Sequence, residues 1–251
     1  MVKIYVDPGH GGSDPGATAN GIQEKNVVLA IGTSIRNILQ LEYENAEVRM
    51  SRTGDTFPSL TQRTNDANAW GADFFLSIHI NAGGGTGYED FIYSTLSDSS
   101  ATGVMRARIH EEVMKLNGMS DRGRKKANFH VLRETNMPAV LTENGFIDNS
   151  ADAAKMKSNS WIQNVARGHV NGLEKALGLT KKSGSGATFL IRVKAASLYY
   201  YDAPDWNARA GTVSQGEVFT VVETLTVDGS TMYKLKSGNY ITANPQYVEV
   251  V

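Results

Sequence analysis

His10, Glu24, His79 and Glu143 are the side chains of this chain whose types and settings suit hydrolytic chemistry. Three of them follow runs that read as buried strands: Lys3–Asp7 leads into His10, Phe74–Ile78 into His79 and Ala139–Thr142 into Glu143. Glu24 opens a helix after a glycine-rich turn. In open α/β sheets ligands sit outside the carboxyl ends of the strands, so positions distant in sequence can converge there. Two imidazoles and two carboxylates are the parts of a zinc hydrolase site: three groups hold the ion, and the remaining acid moves a proton. The chain contains no cysteine. It therefore has no disulfide framework and no thiolate ligand, and any zinc must be held by nitrogen and oxygen.

The elements that must position these groups follow from the pattern. Pro8-Gly9-His10-Gly11-Gly12-Ser13-Asp14-Pro15-Gly16 reads as an active-site loop whose glycines allow close backbone approach. From Glu24 to Leu41, apolar Val27, Val28, Ile31, Ile35, Ile38 and Leu39 fall three and four apart, the period of an amphipathic helix. A strand at Glu47–Met50, a helix around Leu60–Trp70 and a central strand at Phe74–Ile80 follow. The alternation continues through Phe91–Ser94, Val104–Leu116, Phe129–Leu132 and Ala139–Thr142, then helices at Ala151–Lys157 and Trp161–Leu177. It predicts a three-layer α/β/α domain with a twisted mixed sheet over residues 1–179.

Residues 180–187 have the small polar composition of a flexible linker. Beyond it, short strands parted by Asp-Gly and Ser-Gly turns predict a small all-β barrel over residues 188–251. Tyr199, Tyr200, Tyr201 and Trp206 could stack on sugars or pack a peptide, but aromatic clusters in short β modules are more often core, and they are expected there.

Composition narrows the partners. The 25 basic and 26 acidic residues nearly cancel, so nothing in the overall charge calls for nucleic acid. No apolar run reaches the roughly 18 residues of a membrane span, and no leader-like segment precedes the first strand. The expectation is a monomer, made in the cytoplasm without a signal peptide, that acts elsewhere only after release. The basic run Arg122-Gly123-Arg124-Lys125-Lys126 is expected as a solvated loop, with binding to stem-peptide carboxylates or anionic wall polymers as the alternative, and His110 and His169 as exposed or core-edge helical residues.

The segment Val6-Asp7-Pro8-Gly9-His10-Gly11-Gly12-Ser13-Asp14-Pro15-Gly16-Ala17 with Gly21-Ile22-Gln23-Glu24-Lys25 closely resembles the zinc-dependent N-acetylmuramoyl-L-alanine amidases of the amidase_3 family. Ser77-Ile78-His79-Ile80-Asn81-Ala82 resembles the family's second histidine motif, and Pro138-Ala139-Val140-Leu141-Thr142-Glu143-Asn144-Gly145-Phe146-Ile147 its catalytic glutamate motif. The likeness is to Bacillus-type lytic amidases, including sporulation enzymes and phage endolysins. The tail resembles a bacterial SH3-like wall-binding module.

The resemblance implies that His10, Glu24 and His79 hold one Zn2+, that Glu143 is the general base, and that the substrate is the muramoyl–L-alanine amide of peptidoglycan in the bacterial cell wall. An imidazole ligand usually donates its other N–H to a carboxylate or carbonyl; Asp7, Asp14 and Asn81 are the nearby candidates. Asn81, Arg63, His130 and Arg133 are candidate substrate contacts, although Arg63 fits a purely structural role equally well. Two rivals remain open at this stage: a zinc peptidase acting within the stem peptide, and a non-catalytic wall-binding protein.

Overall fold

A computed structural model describes residues 1–182 and 188–251. Of the expected linker, residues 183–187 lie outside the described residues. The chain divides into two compact units, Met1–Thr180 and Lys181–Val251.

The first unit contains β1 (Val2–Pro8), the short pair β2 (Thr18–Ala19) and β3 (Ile22–Gln23), α1 (Glu24–Glu42), β4 (Ala46–Met50), α2 (Leu60–Trp70) and β5 (Phe74–Asn81). It continues through β6 (Tyr88–Tyr93), α3 (Ala101–Leu116), β7 (Asp121–Ala127), α4 (His130–Arg133), β8 (Ala139–Phe146), α5 (Ser150–Met156) and α6 (Asn159–Leu177). Six strands form one mixed sheet in the order β4-β1-β5-β8-β6-β7. The first four run parallel, β6 is antiparallel to β8, and β7 is parallel to β6.

Side chains alternate between the two faces of each strand. Ile4, Val6, Leu76, Ile78 and Val140 point to one face and join the apolar stripes of α1, α3 and α6 in the larger core. Tyr5, Phe75, Ala139 and Leu141 point to the other, against α2 and α4. The α1 residues Val28, Ile31, Ile35 and Leu39 are fully enclosed, as their spacing requires. Each such side chain contributes roughly 1.5–3 kcal/mol by leaving water. By parity, Asp7, Ser77, His79, Glu143 and Glu89 lie on the α2/α4 face.

Several elements differ from expectation. Glu143 lies within β8, which runs on to Phe146, rather than past the strand's end. The basic run is the edge strand β7, not a loop; its one paired side is enough to hold it, and charges suit an edge that faces water. Residues 130–133 form a single helical turn where a strand was expected, because an apolar run so short cannot be assigned by periodicity. His169 is fully buried, with Nδ1 donating to the Val165 carbonyl at 2.8 Å and Nε2 accepting from the Thr142 hydroxyl at 3.1 Å. His110 is buried between Asp90 and Asp121.

The second unit is all-β. Strands β9 (Phe189–Val193), β10 (Ser197–Tyr201), β11 (Arg209–Ser214), β12 (Val218–Val227), β13 (Ser230–Leu235), β14 (Tyr240–Thr242) and β15 (Val248–Val250) form an antiparallel sheet. Its order is β11-β10-β14-β13-β12-β9-β15. Ile191, Val193, Val221, Leu235 and Ile241 make its core. Tyr201 is buried as expected, whereas Tyr199 is exposed and carries the Arg209 guanidinium over its ring. No helix among the described residues is long and apolar enough to cross a membrane.

Candidate metal centre

The loop after β1 is held from below by two buried arginines. Arg63 donates to the Asp7 carboxylate at 2.6 Å and to the carbonyls of Pro8 and His10, each at 2.8 Å. Arg52 donates to the carbonyls of Pro8 at 3.0 Å and Gly9 at 2.8 Å. Gly11 and Asp14 exchange backbone hydrogen bonds across the loop's tip, and His10 takes a left-handed φ of 56°. The strain of that conformation at a residue other than glycine is sustained by this dense bonding.

The three expected ligands converge. Glu24 Oε1 lies 3.1 Å from His10 Nε2 and 3.0 Å from His79 Nδ1, and one donor atom from each residue falls within 4.8 Å of the others. A tetrahedral ion with ligands about 2.0–2.2 Å away separates its donors by roughly 3.3–3.6 Å, so these spacings suit one cation. Glu24 is fixed at the first turn of α1, where its charge suits the helix dipole. Its Oε1 also accepts from the Ile80 amide at 3.0 Å and its Oε2 from the Ala17 amide at 2.9 Å.

Two glycines show how closely the loop embraces these three side chains. A Cβ on Gly9 would stand 2.2 Å from the His79 ring, and one on Gly16 would stand 2.6 Å from Glu24 Oε2 and 2.8 Å from the His10 ring. Gly16 also has a φ of +65°.

The electrostatics match a cation site. Burial alone would raise the Glu24 carboxyl, but hydrogen bonds from His10 and His79 outweigh it and hold it well below the usual carboxylate range. Burial opposes charge on His10, while Glu24 and Asp14 together raise its imidazole above the ordinary value. Of the three candidate partners behind the histidines, Asp14 is the one in place, 2.8 Å from His10 Nδ1. Asp7 is instead taken by Arg63 and by the Ser77 hydroxyl, and Asn81 donates to Glu89 at 3.0 Å.

Glu143 is the register partner of His79 on the adjacent strand. Its Oε2 is buried and has no hydrogen-bond partner among the described residues. Burial, then the negative charges of Glu24 and Glu89, push its carboxyl well above the usual carboxylate range. A carboxyl oxygen with no such partner, set beside the three donor groups, is positioned to exchange a proton with water.

The expected substrate contacts divide. Arg63, at 3% side-chain exposure, spends its guanidinium on Asp7 and the loop carbonyls, so it braces the loop rather than facing a ligand. Arg133 is tied to Glu134 and Asn128 on the surface. His130 opens α4 with a buried Nε2 that has no partner among the described residues. Asn81 lies on the same face as His79, two residues along β5. Sequence reasoning missed Arg52 and Glu89: Arg52 stands two residues past the end of β4, a strand-end position that could have marked it, whereas Glu89 inside β6 carries no such signal and only its partners give it a role.

A family model described as N-acetylmuramoyl-L-alanine amidase matches residues 4–175, and one described as a domain of unknown function, DUF5776, matches residues 187–248. The chain is 56% identical over 195 residues to N-acetylmuramoyl-L-alanine amidase CwlM of Bacillus licheniformis, covering 78% of this chain and 76% of that one. It is 46% identical to the endolysin of Bacillus phage SPP1, covering 98% of this chain and 97% of the endolysin. Among solved structures, the catalytic domain of the amidase CwlV from Bacillus (Paenibacillus) polymyxa var. colistinus superposes with a TM-score of 0.68 at 33% identity, covering 72% of this chain and all of that domain.

Proposed function

The chain belongs to the N-acetylmuramoyl-L-alanine amidase family, enzymes that hydrolyse the amide between N-acetylmuramic acid and L-alanine in peptidoglycan, and we propose that His10, Glu24 and His79 hold one zinc ion for that reaction while Glu143 moves the proton. The observation that carries this assignment is the convergence of the three donor atoms within 4.8 Å, with Glu143 on the neighbouring rung.

The donor set supports zinc: two imidazoles and one carboxylate, with no thiolate available. When bound there, zinc supplies Lewis acidity, which polarises a carbonyl and makes water more acidic. The remaining work falls to the chain. Asp14 fixes the His10 ring so that Nε2 points inward, and the Ile80 and Ala17 amides hold the Glu24 carboxylate in register. Glu143 Oε2 takes a proton from water as its oxygen attacks the lactyl carbonyl carbon. It then delivers that proton to the alanine nitrogen as the C–N bond breaks. The products are a muramoyl carboxylate and a stem peptide with a free L-alanine amine.

Mass spectrometry of purified sacculi digested with the protein tests this reading. Intact stem peptides bearing a free L-alanine amino terminus are the expected product; peptides cut internally would show a peptidase instead, and no cleavage at all a binding protein.

The second unit is read here as an SH3-like wall-binding module. Support comes from its all-β sheet and from the SPP1 endolysin, which is similar across 98% of the chain, tail included. Tethering the catalytic unit raises its effective concentration at the wall without any new contact at the reacting bond. Deleting residues 181–251 is expected to reduce sedimentation with purified walls more than it reduces cleavage of small soluble muropeptides.

A further inference from the structure

A second charged group continues the row of the active-site residues across the sheet. His79, Glu143 and Glu89 are register partners on β5, β8 and β6, so all three project from one face. Arg122 extends the row onto the edge strand β7: its Nε donates to Glu89 Oε2 at 2.6 Å. Lys125 Nζ reaches the same oxygen at 2.5 Å, and Asn81 Nδ2 donates to Glu89 Oε1 at 3.0 Å. One buried carboxylate thus meets two cations, a surplus of one positive charge at the β7 end of the row.

The arginine is held for use. Its guanidinium carbon lies 4.7 Å from the centre of the Phe146 ring, a cation–π contact, and the chain at Gly85 closes against that ring as well. Nη1 makes a long 3.5 Å contact with the Thr86 carbonyl, and among the described residues Nη2 has no partner. The side chain remains 35% exposed. A guanidinium pinned through Nε and by an aromatic ring presents its outer N–H groups at fixed angles, which suits a planar carboxylate.

We propose that Arg122 is a specificity-determining residue that binds a carboxylate of the stem peptide, with Lys125 adding charge. The proposal rests on the amidase reading of the neighbouring site. Adjacent strands are about 4.8 Å apart, so β7 lies roughly 10 Å from β8. About three extended peptide residues span that distance at roughly 3.3–3.6 Å each, and the Arg122 side chain, reaching back to Glu89 on β6, shortens the gap by about one strand spacing to one or two residues. An acidic residue just beyond the L-alanine would therefore place its carboxylate at Arg122 while the scissile amide stands at Glu143. The neutral sugars on the other side of the bond offer no such group.

Two soluble muropeptides that differ only in whether that carboxylate is free or a primary amide make the test. The wild-type protein is expected to favour the free acid about tenfold in kcat/KM, chiefly through KM. R122Q should erase the preference by raising KM for the acid about tenfold. R122K, which keeps the charge but not the fork, should retain part of it, and it serves as the readout if R122Q fails to fold. Equal wild-type rates on both substrates would overturn the proposal, as would a loss of kcat on both that left the preference intact. If the wild-type protein cut neither substrate at the lactyl–alanine bond, the amidase reading itself would fail and take the proposal with it.

Discussion

His79 and Glu143 occupy the same rung of the parallel strands β5 and β8 and project from the same face of the sheet. That relationship sets a carboxylate oxygen that has no partner among the described residues on the rung next to one of the three donor groups.

If Glu143 moves the proton, E143Q should bind zinc in the same stoichiometry as the wild type while hydrolysing walls about 10²–10⁴-fold more slowly. Elemental analysis and turbidity loss of purified walls measure the two quantities. Wild-type lysis by a zinc-loaded E143Q protein would remove Glu143 from the mechanism.

Asp14 contacts His10 through Nδ1, on the ring side away from the donor cluster. D14N leaves a hydrogen-bonding group but removes the charge that orients the ring, and zinc affinity is expected to fall about 10–100-fold. Competition with a chelator of known affinity reads this directly. D7N should act differently, because Asp7 supports the loop through Arg63: there the loss should appear in thermal stability first.

Gly9→Ala places a methyl group 2.2 Å from the His79 ring, a distance no relaxed contact allows. The ring must swing away or the loop must shift, so the expected result is weakened zinc binding together with about 1–3 kcal/mol of destabilisation. Isothermal titration with zinc and urea unfolding would show both; an unaltered titration would mean that the loop yields instead of the ring.

His169 governs a pH effect at a distance from the site. Burial lowers its pKa to about 4 from an ordinary value near 6.5. Between those values the unfolded chain binds a proton that the folded chain refuses, so stability rises with pH across that window. Acidification from pH 6.5 toward 4 should therefore cost about 1.4 kcal/mol per unit from this group and level off below. Urea midpoints measured every half unit, for the wild type and for H169Q, isolate the contribution: the slope in this window should be shallower in H169Q, which has nothing to titrate.

Much of the catalytic unit was legible beforehand because its signals are local. A period of 3.6 marks α1, an apolar β-branched run marks β5, and a glycine-crowded loop after a strand marks the turn that presents His10. The four central residues stood out for the same reason, each being set in a short motif. Where the local signal was thin the expectation failed. Residues 130–133 are too few to show a period, and the charges of β7 resemble a loop until a neighbouring strand pairs with it.

What the chain order alone determined, then, was the parts and the class of their elements: two imidazoles and two carboxylates set in short motifs, in an α/β unit followed by short strands. The partnerships were decided only by folding. Asp14 rather than Asp7 or Asn81 backs His10, because Asp7 is claimed by Arg63 from 56 residues away and Asn81 by Glu89 on another strand. His169 is buried against β8, not at a core edge, and Arg122 reaches the active-site row through a carboxylate on the next strand. Register between strands and the angle at which a helix crosses them bring such groups together, and neither leaves a periodic trace in the residues themselves.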